Sequence, residues 1–191
     1  MLILPAGSLQ RIFSRGAENA ALRDRLTSLL RPDRPCRITT AAGTNLTFTA
    51  RTWISLNFEV CTAPVERSVN GVIVVDGAVF FRRVSHPLTF AIRDGMLHDI
   101  TADTPEGLVL AAEYRRLTAV AMSSPVNRQL AEIGVGCCPG AAISDCFMEA
   151  EAAADTCHFC FGGNVFYGGA NASGFHGASV LIRRPVFTFS D

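Results

Sequence analysis

Three stretches of the chain carry apolar residues at the spacing of an amphipathic helix. Residues 17–30, AENAALRDRLTSLL, repeat apolar positions every three to four residues and end before the breaker RPDRP. Residues 104–121 and residues 143–156 show the same period. Short polar residues before each of the last two stretches predict where these helices begin. The predicted N-caps are Thr104 or Asp103 for the second helix and Ser144 or Asp145 for the third.

Other stretches alternate apolar and polar residues about short turns, which is the pattern of β-hairpins. Residues 36–58 alternate on both sides of a Gly-Thr-Asn turn. Residues 70–84 and 88–100 each place an Asp-Gly pair between two runs of β-branched and aromatic residues, a strong hairpin signal. The predicted turns are Asp76–Gly77 and Asp94–Gly95.

The last third of the chain predicts a short helix-to-strand passage at 127–136 and then three strands, at 157–161, 164–168 and 178–189. A glycine-rich loop at 162–177 lies among them, and such loops commonly carry functional residues. The complete pattern predicts an α+β fold with an antiparallel-rich mixed β-sheet and a few helices.

The length and hydropathy of the chain fit one structural domain. Its 191 residues are 49% hydrophobic, which is enough to form a packed core. We predict an N-terminal helical segment at 1–35 and the main body of the fold at 36–191. No apolar stretch reaches the roughly 18–20 residues that cross a membrane, and the opening MLILPAG has no positive segment typical of a signal peptide. We therefore expect a cytoplasmic protein that does not bind a membrane.

The 17 acidic residues are balanced by 17 basic residues, all of them arginine. No basic stripe is present, so we do not expect nucleic-acid binding. The absence of lysine is typical of a GC-rich genome. Alternatively, because arginine binds carboxylates through two parallel hydrogen bonds, the pairs at 82–83, 115–116 and 183–184 could contact a peptide.

The seven cysteines are an odd number in a chain expected to be cytosolic, which argues against a disulfide framework. Cys157 and Cys160 have C-x-x-C spacing, but their flanks predict a strand and a turn, whereas a redox pair normally begins a helix. Cys137 and Cys138 are adjacent and would point in different directions, so they are a poor second half for a zinc knuckle. We expect small buried thiols.

Five motifs occur in an order that resembles a known family. Together they are similar to the catalytic domain of the thermophilic-type leucyl aminopeptidases, the aminopeptidase T and aminopeptidase S family. The resemblance runs from about residue 36 to the C terminus and implies an aminopeptidase-like domain over 36–191, without the N-terminal domain that the family places before it. The motifs are TAAGTNLTF (40–48), FEVCTAPVERSVNGVIVVDG (58–77), AEIGVG (131–136), TCHFCFGGN (156–164) and SGFHGA (173–178).

The family binds two metal ions, and the resemblance maps most of its ligand positions onto this chain. The final aspartate of the set falls on Ala178, which has no ligand atom. The tyrosine of the family falls by counting on Val165, and Tyr167 lies close to that position. The implied metal positions, which we regard as vestigial, are Glu59, Glu132, His158 and His176.

The missing carboxylate weakens a two-metal site, because bridging carboxylates must offset the charge of two divalent ions. Two-metal activation of water would then fail. One zinc or other divalent ion could still be bound by His158, His176 and one glutamate. Alternatively, these residues are ordinary hydrogen-bonded groups of a sheet. We expect no cofactor, with a single zinc or other divalent ion as the alternative.

A peptidase groove without its chemistry can still bind an extended peptide through an exposed sheet edge. We therefore expect a non-catalytic peptide-binding protein. Small proteins that resemble a peptidase catalytic domain bind the ribosomally made precursor peptide in crocagin biosynthesis, which implies such a peptide, and modifying enzymes of the same pathway, as partners. The apolar run at 180–189 would be a costly free edge and predicts a homodimer. The groove would contain Glu59, Glu132, His158, Tyr167 and His176.

Two other functions stay open at this point. The first is an active metal-dependent aminopeptidase or hydrolase with a single-metal site. The second is a ring-cleaving dioxygenase acting on dihydroxypyridines, from another branch of the same superfamily. Those enzymes bind iron through two histidines and the aspartate that Ala178 replaces in this chain.

Overall fold

The computed structural model describes residues 5–190. The predicted cytoplasmic location rested partly on the opening sequence MLILPAG, whose first four residues lie outside the described range. The domain boundary placed between residues 35 and 36 stays a prediction. The helices are α1 (Ala6–Phe13), α2 (Gly16–Leu29), α3 (Pro105–Met122) and α4 (Phe147–Ala152). The strands are β1 (Pro35–Thr39), β2 (Asn45–Thr49), β3 (Ile54–Ser55), β4 (Glu59–Thr62), β5 (Asn70–Val75), β6 (Ala78–Val79), β7 (Arg82–Arg83), β8 (Leu88–Arg93), β9 (Met96–Thr101), β10 (Leu130–Gly136), β11 (Thr156–Gly162), β12 (His176–Arg183) and β13 (Val186–Phe189).

The strands form two antiparallel sheets. The six-stranded sheet has the order β13-β1-β2-β5-β8-β9, and the seven-stranded sheet has the order β3-β4-β10-β11-β12-β6-β7. The predicted α+β class with antiparallel strands is confirmed. Within residues 5–190, the structure contains no helix long and apolar enough to span a bilayer.

The main hydrophobic core lies between the two sheets. It combines Ile73 and Phe90 of the six-stranded sheet with Ile133 and Phe161 of the seven-stranded sheet, all of them buried. The rings of Phe90 and Phe161 stack with their centroids 6.5 Å apart, so they join the two sheets directly. Tyr114 of α3 packs edge-on against Phe90 at 5.2 Å, which fixes α3 over one end of the core.

Two of the three predicted helices form as expected. The helix predicted at 17–30 is α2, and the helix predicted at 104–121 is α3. Thr104 is the N-cap of α3, because its hydroxyl accepts a hydrogen bond from the backbone N–H of Gly107 at 3.1 Å. Helix α1 lies within the helical segment predicted at 1–35, although no separate helix was predicted at 6–13.

The third helix is shorter than predicted and its cap was predicted wrongly. Helix α4 begins at Phe147, and no side chain caps it. Both candidate caps have other partners. The hydroxyl of Ser144 donates to Glu149 at 2.9 Å, and the carboxylate of Asp145 accepts from the backbone N–H of Arg83 at 3.2 Å. Competition from these tertiary contacts explains the failure of the local signal.

The two Asp-Gly pairs have different roles. Asp94–Gly95 joins β8 to β9 with φ angles of +50° and +77°, so this hairpin prediction is confirmed. The hairpin predicted at Asp76–Gly77 is wrong, because β5 and β6 belong to different sheets. A Cβ at Gly77 would overlap Leu181 of β12, so this glycine permits close packing at the crossover rather than a tight turn.

The first predicted hairpin forms as β1 and β2, although residues 54–55 of the predicted stretch join the seven-stranded sheet as β3.

In the C-terminal part, the strand predicted at 157–161 is β11. The strand predicted at 164–168 is wrong, because Val165–Tyr167 form a single 3₁₀ turn. The strand predicted at 178–189 divides into β12, which lies between β11 and β6, and β13, which is an edge strand. The homodimer stays a prediction, and only β13 now supports it as a free edge.

Candidate functional site

Three neighbouring strands bring the acidic and histidine positions of the motifs to one face of the seven-stranded sheet. Glu59 lies on β4, Glu132 on β10 and His158 on β11. Because side chains alternate between the faces of a strand, Phe159 points into the core between the sheets, while His158 points to the opposite face of the seven-stranded sheet. The imidazole of His158 lies over Gly134 of β10, where a Cβ would overlap the ring. This glycine lets His158 reach across β10 towards β4.

Glu59, Glu132 and His158 form a buried group of charges. Nε2 of His158 lies 3.0 Å from Oε2 of Glu59 and 3.8 Å from Oε1 of Glu132. The carboxylate oxygen Oε2 of Glu59 is not aligned for a hydrogen bond, and Nδ1 of His158 is buried without a partner. The group is therefore an ion-pair cluster whose hydrogen-bonding capacity is not fully used.

His176 completes the cluster and connects it to the surface. Its Nε2 lies 2.9 Å from Oε2 of Glu132, and its Nδ1 donates to the carbonyl of Gly163 at 2.7 Å. Its side chain is 33% exposed, whereas that of His158 is 1% exposed. The ring of Tyr167 packs against His176 with centroids 5.8 Å apart. We refer to Glu59, Glu132, His158, His176 and Tyr167 as the Glu–His cluster. The structure brings all five predicted site residues together.

The protonation preferences of the cluster follow from its contacts. Burial alone would lower the pKa of His158, but the charge of Glu59 and contacts with both glutamates outweigh burial and raise it. The contact with Glu132 also raises the pKa of His176. Burial opposes ionisation of Glu132, yet hydrogen bonds from the two imidazoles lower its pKa. Burial and the nearby Glu132 raise the pKa of the Tyr167 hydroxyl, which therefore stays protonated at neutral pH.

The loop that carries Tyr167 is fixed by a carboxylate from another part of the chain. Oε1 of Glu66 accepts from the side chain of Asn164 at 3.1 Å and from the backbone N–H of Ala170 at 2.7 Å. Its Oε2 accepts from Arg51 at 2.6 Å. Asn171 then donates to the carbonyl of Gly162 at 2.8 Å. These bonds hold the loop, and the Gly163 carbonyl within it, against His176.

Position 178 contributes a buried methyl group and no ligand atom. The backbone of Ala178 has a φ of +51°, in the left-handed region that aspartate and asparagine tolerate better than alanine. Its carbonyl accepts a hydrogen bond from the buried hydroxyl of Tyr114. The third carboxylate implied by the family resemblance is therefore missing from a backbone conformation that suits it.

Three residues near the cluster were missed from the sequence. Cys61 and Cys160 follow Glu59 and His158 by two positions, so they lie on the same face, and this period-2 spacing was a visible signal. Glu151 of α4 has its pKa raised to about 7 by burial, although His158 lowers it. The sequence signal for Glu151 was an acidic residue between two alanines, Ala150 and Ala152, in a predicted helix.

The cluster does not fit a two-metal centre, because Glu59 and Glu132 must offset four positive charges, position 178 adds no carboxylate, and burial raises the pKa of Glu151 to about 7. It does fit a single ion. Glu132, His158 and Cys160 each place a ligand atom within 4.8 Å of the others, as do Glu59, Cys61 and Glu132. Oε2 of Glu59, which lies 3.0 Å from His158 but accepts no aligned hydrogen bond, is a further candidate ligand atom. A thiol, an imidazole and a carboxylate together suit zinc better than magnesium or calcium.

The fold and this cluster define an α+β protein with an aminopeptidase-like fold. Two solved structures share the architecture at 19% sequence identity. The structure of 2,5-dihydroxypyridine dioxygenase from Pseudomonas putida KT2440 matches with a TM-score of 0.76, over 100% of this chain and 61% of that one. Wild-type AmpT from Thermus thermophilus matches with a TM-score of 0.61, over 93% of this chain and 51% of that one.

This chain therefore spans less than two thirds of either structure, and the similarity establishes the fold alone. No family model matches the sequence, and no curated protein sequence matches it.

Proposed function

We propose that this protein binds an extended peptide at the Glu–His cluster without hydrolysing it, and that the peptide is a ribosomally made precursor of a natural product. The observation that carries this proposal is the use of charge in the cluster. Both carboxylates are occupied by the two imidazoles, at 3.0 Å for Glu59 and 2.9 Å for Glu132, and position 178 supplies no third one. The cluster thus balances its charge internally, and the nearby Glu151, whose pKa burial raises to about 7, adds less than a full negative charge for a second metal ion at neutral pH.

The accessible part of the cluster suits binding rather than catalysis. His176 and the half-buried Tyr167 are the two members that a ligand can reach. Glu59, Glu132 and His158 are buried below them. Among these three, Glu132 contacts the imidazole of His176, orients it and compensates its charge. A peptide carbonyl could accept a hydrogen bond from the Tyr167 hydroxyl.

A single-metal hydrolase is the second candidate, because Glu132, His158 and either Glu59 or Cys160 could bind one ion. Such an ion would supply a Lewis acid and a more acidic water molecule. The dioxygenase has a higher TM-score than AmpT, but folds are reused for unrelated chemistry, and the aspartate expected in an iron site falls on Ala178. We therefore do not propose dihydroxypyridine cleavage as the function, and we include it in the test as a control assay.

The experiment combines three measurements on the purified full chain. A pulldown from the native host, followed by sequencing of any small peptide recovered, identifies the ligand. Fluorescence anisotropy then compares wild type with His176→Ala and with His86→Ala, a histidine outside the cluster. We expect His176→Ala to weaken binding about tenfold or more and His86→Ala to have no effect. Turnover of leucine p-nitroanilide or 2,5-dihydroxypyridine by protein with stoichiometric metal would overturn the proposal.

A further inference from the structure

Two cavities lie along β9, which is one of the two edge strands of the six-stranded sheet. One is a cavity of about 300 Å³ between β9 and α3, and its lining includes Arg115 and Arg128. The other measures about 390 Å³, lies at the β8–β9 turn and includes Arg67 and Arg93. His98 lines both cavities, and we call the two together the β9 cleft.

The β9 cleft has an excess of positive charge. Four arginines line it, against two carboxylates, those of Asp94 and Asp99. Arg115 is paired with Asp99 at 3.2 Å. Among residues 5–190, no carboxylate lies within ion-pairing distance of Arg67, Arg93 or Arg128. These guanidinium groups are therefore free to bind an anionic partner.

Two of these arginines are placed in ways that folding alone does not favour. Arg67 has a φ of +67°, in the left-handed region that costs a residue with a Cβ about 1 kcal/mol or more. The Nε atom of Arg128 is buried without an acceptor, and an unsatisfied buried donor is also destabilising. A glycine at 67 or an apolar side chain at 128 would serve the fold better. Binding offers a reason for both arginines.

We propose that the β9 cleft binds an acidic, extended segment of a peptide, whose carboxylates pair with Arg67, Arg93 and Arg128. That the partner is a peptide rests on the function proposed above, whereas its acidic character rests on the arginines. The cleft is separate from the Glu–His cluster, although the turn that ends at Arg128 contacts the loop of Tyr167 through a bond from Asn171 to the Val126 carbonyl at 2.7 Å.

The lining of the cleft favours carboxylates over the phosphates of a nucleic acid. The side chains between the arginines are aliphatic or polar, such as Met96, Thr118 and Met122, and the lining contains no phenylalanine, tyrosine or tryptophan on which a base could stack, although it does contain the imidazole of His98. Asp94 and Asp99 would repel a continuous phosphate chain, but spaced carboxylates can avoid them.

The test uses fluorescence anisotropy with three labelled probes and the full chain. The probes are a ten-residue peptide that alternates glutamate and glycine, the same peptide with glutamine in place of glutamate, and a ten-nucleotide oligouridylate. We expect the glutamate peptide to bind, with an affinity that falls as salt is raised, and the glutamine peptide not to bind. Arg67→Gly and Arg128→Gln should each weaken binding by about threefold to tenfold.

Arg184→Gly is the matched control, because Arg184 is also an exposed arginine in the left-handed region, with a φ of +48°, and does not line the cleft. Both glycine variants should raise the melting temperature, but only Arg67→Gly should lose affinity. Equal losses in the two variants, no binding of the glutamate peptide, or tighter binding of the oligouridylate would overturn the proposal. His176→Ala should leave this binding unchanged, so failure of the cleft and failure of the cluster are distinguishable.

Discussion

Replacing Glu66 with glutamine tests whether one carboxylate fixes the loop beside the Glu–His cluster. Burial alone would raise the pKa of Glu66, but bonds from the Ala170 backbone and from Arg51 outweigh it and lower the pKa from 4.5 to about 2. A shift of this size corresponds to roughly 3 kcal/mol of stability at neutral pH. Because the side chain is 22% exposed, we reduce this to about 2 kcal/mol.

The sign of the pH dependence follows from a folded-state pKa that lies below the unfolded value. The stabilisation is complete above the unfolded pKa and is lost as the pH falls from 4.5 to about 2, so less than half should remain at pH 3. Glu66→Gln should lower the melting temperature by about 4–8 °C at pH 7, and by clearly less at pH 3. Differential scanning calorimetry at both pH values measures this.

The matched control is Glu18→Gln, which removes an exposed carboxylate 3.3 Å from Arg15. Exposed pairs contribute about 0–1 kcal/mol, so we expect little change. If wild type and Glu66→Gln differ by the same amount at pH 7 and pH 3, the charge of Glu66 does not stabilise the loop and our reasoning is wrong.

Three further substitutions test the packing of the site. Gly134→Ala would place a Cβ into the ring of His158 and should lower the melting temperature by several degrees. The control Gly174→Ala adds a Cβ with no atom within 4 Å and should not change the melting temperature. Equal melting temperatures of the two variants would contradict the close packing of His158 on Gly134. Ala178→Asp adds a carboxylate on a backbone that tolerates it, at a position whose methyl packs in the main core. Calorimetric titration of chelator-treated protein should show tighter zinc binding than wild type; unchanged affinity would show that a carboxylate at this position does not contribute to the cluster. Tyr114→Phe removes a buried donor to the Ala178 carbonyl and should cost about 1–2 kcal/mol in urea unfolding, and a cost near zero would mean that this bond does not stabilise the fold.

The fold could be predicted from the sequence where the signal was local. The φ angles at Asp94–Gly95 suit a two-residue hairpin, and the Thr104 cap is a bond between residues three apart, so both were visible in short windows. Asp76–Gly77 has the same letters, yet it joins two sheets because its glycine packs on Leu181. No local pattern distinguishes these two uses of Asp-Gly, because the second depends on a strand about a hundred residues later in the chain.

The members of the Glu–His cluster were predicted from motifs, but the residues whose hydrogen bonds hold them in place were not. Glu66 lies within a quoted motif and still gave no sign of its role, since its partners Asn164 and Ala170 come from the other end of the chain. The same holds for Tyr167, which was placed on a strand. The structure instead has it on a 3₁₀ turn, where bonds to buried amides fix the backbone.

The geometry of the cluster depends on two glycines more than on its charged residues. In the register of the sheet, Gly134 lies between Cys61 and His158, and Gly136 is opposite Glu59. A Cβ at Gly134 would overlap the ring of His158, which could not then approach Glu59 to 3.0 Å. A Cβ at Gly136 would overlap the backbone at the end of α4, at Glu151 and Ala153. The sequence AEIGVG shows both glycines at a spacing of two, which predicts one face of a strand without side chains beyond Glu132. The sequence does not show which neighbouring side chains fill this space, because a shift of one residue in the strand pairing would move every side chain to the other face of the sheet. The two glycines of β10 leave the space beside Glu132 in which His158 contacts Glu59, and only the three-strand register reveals this arrangement.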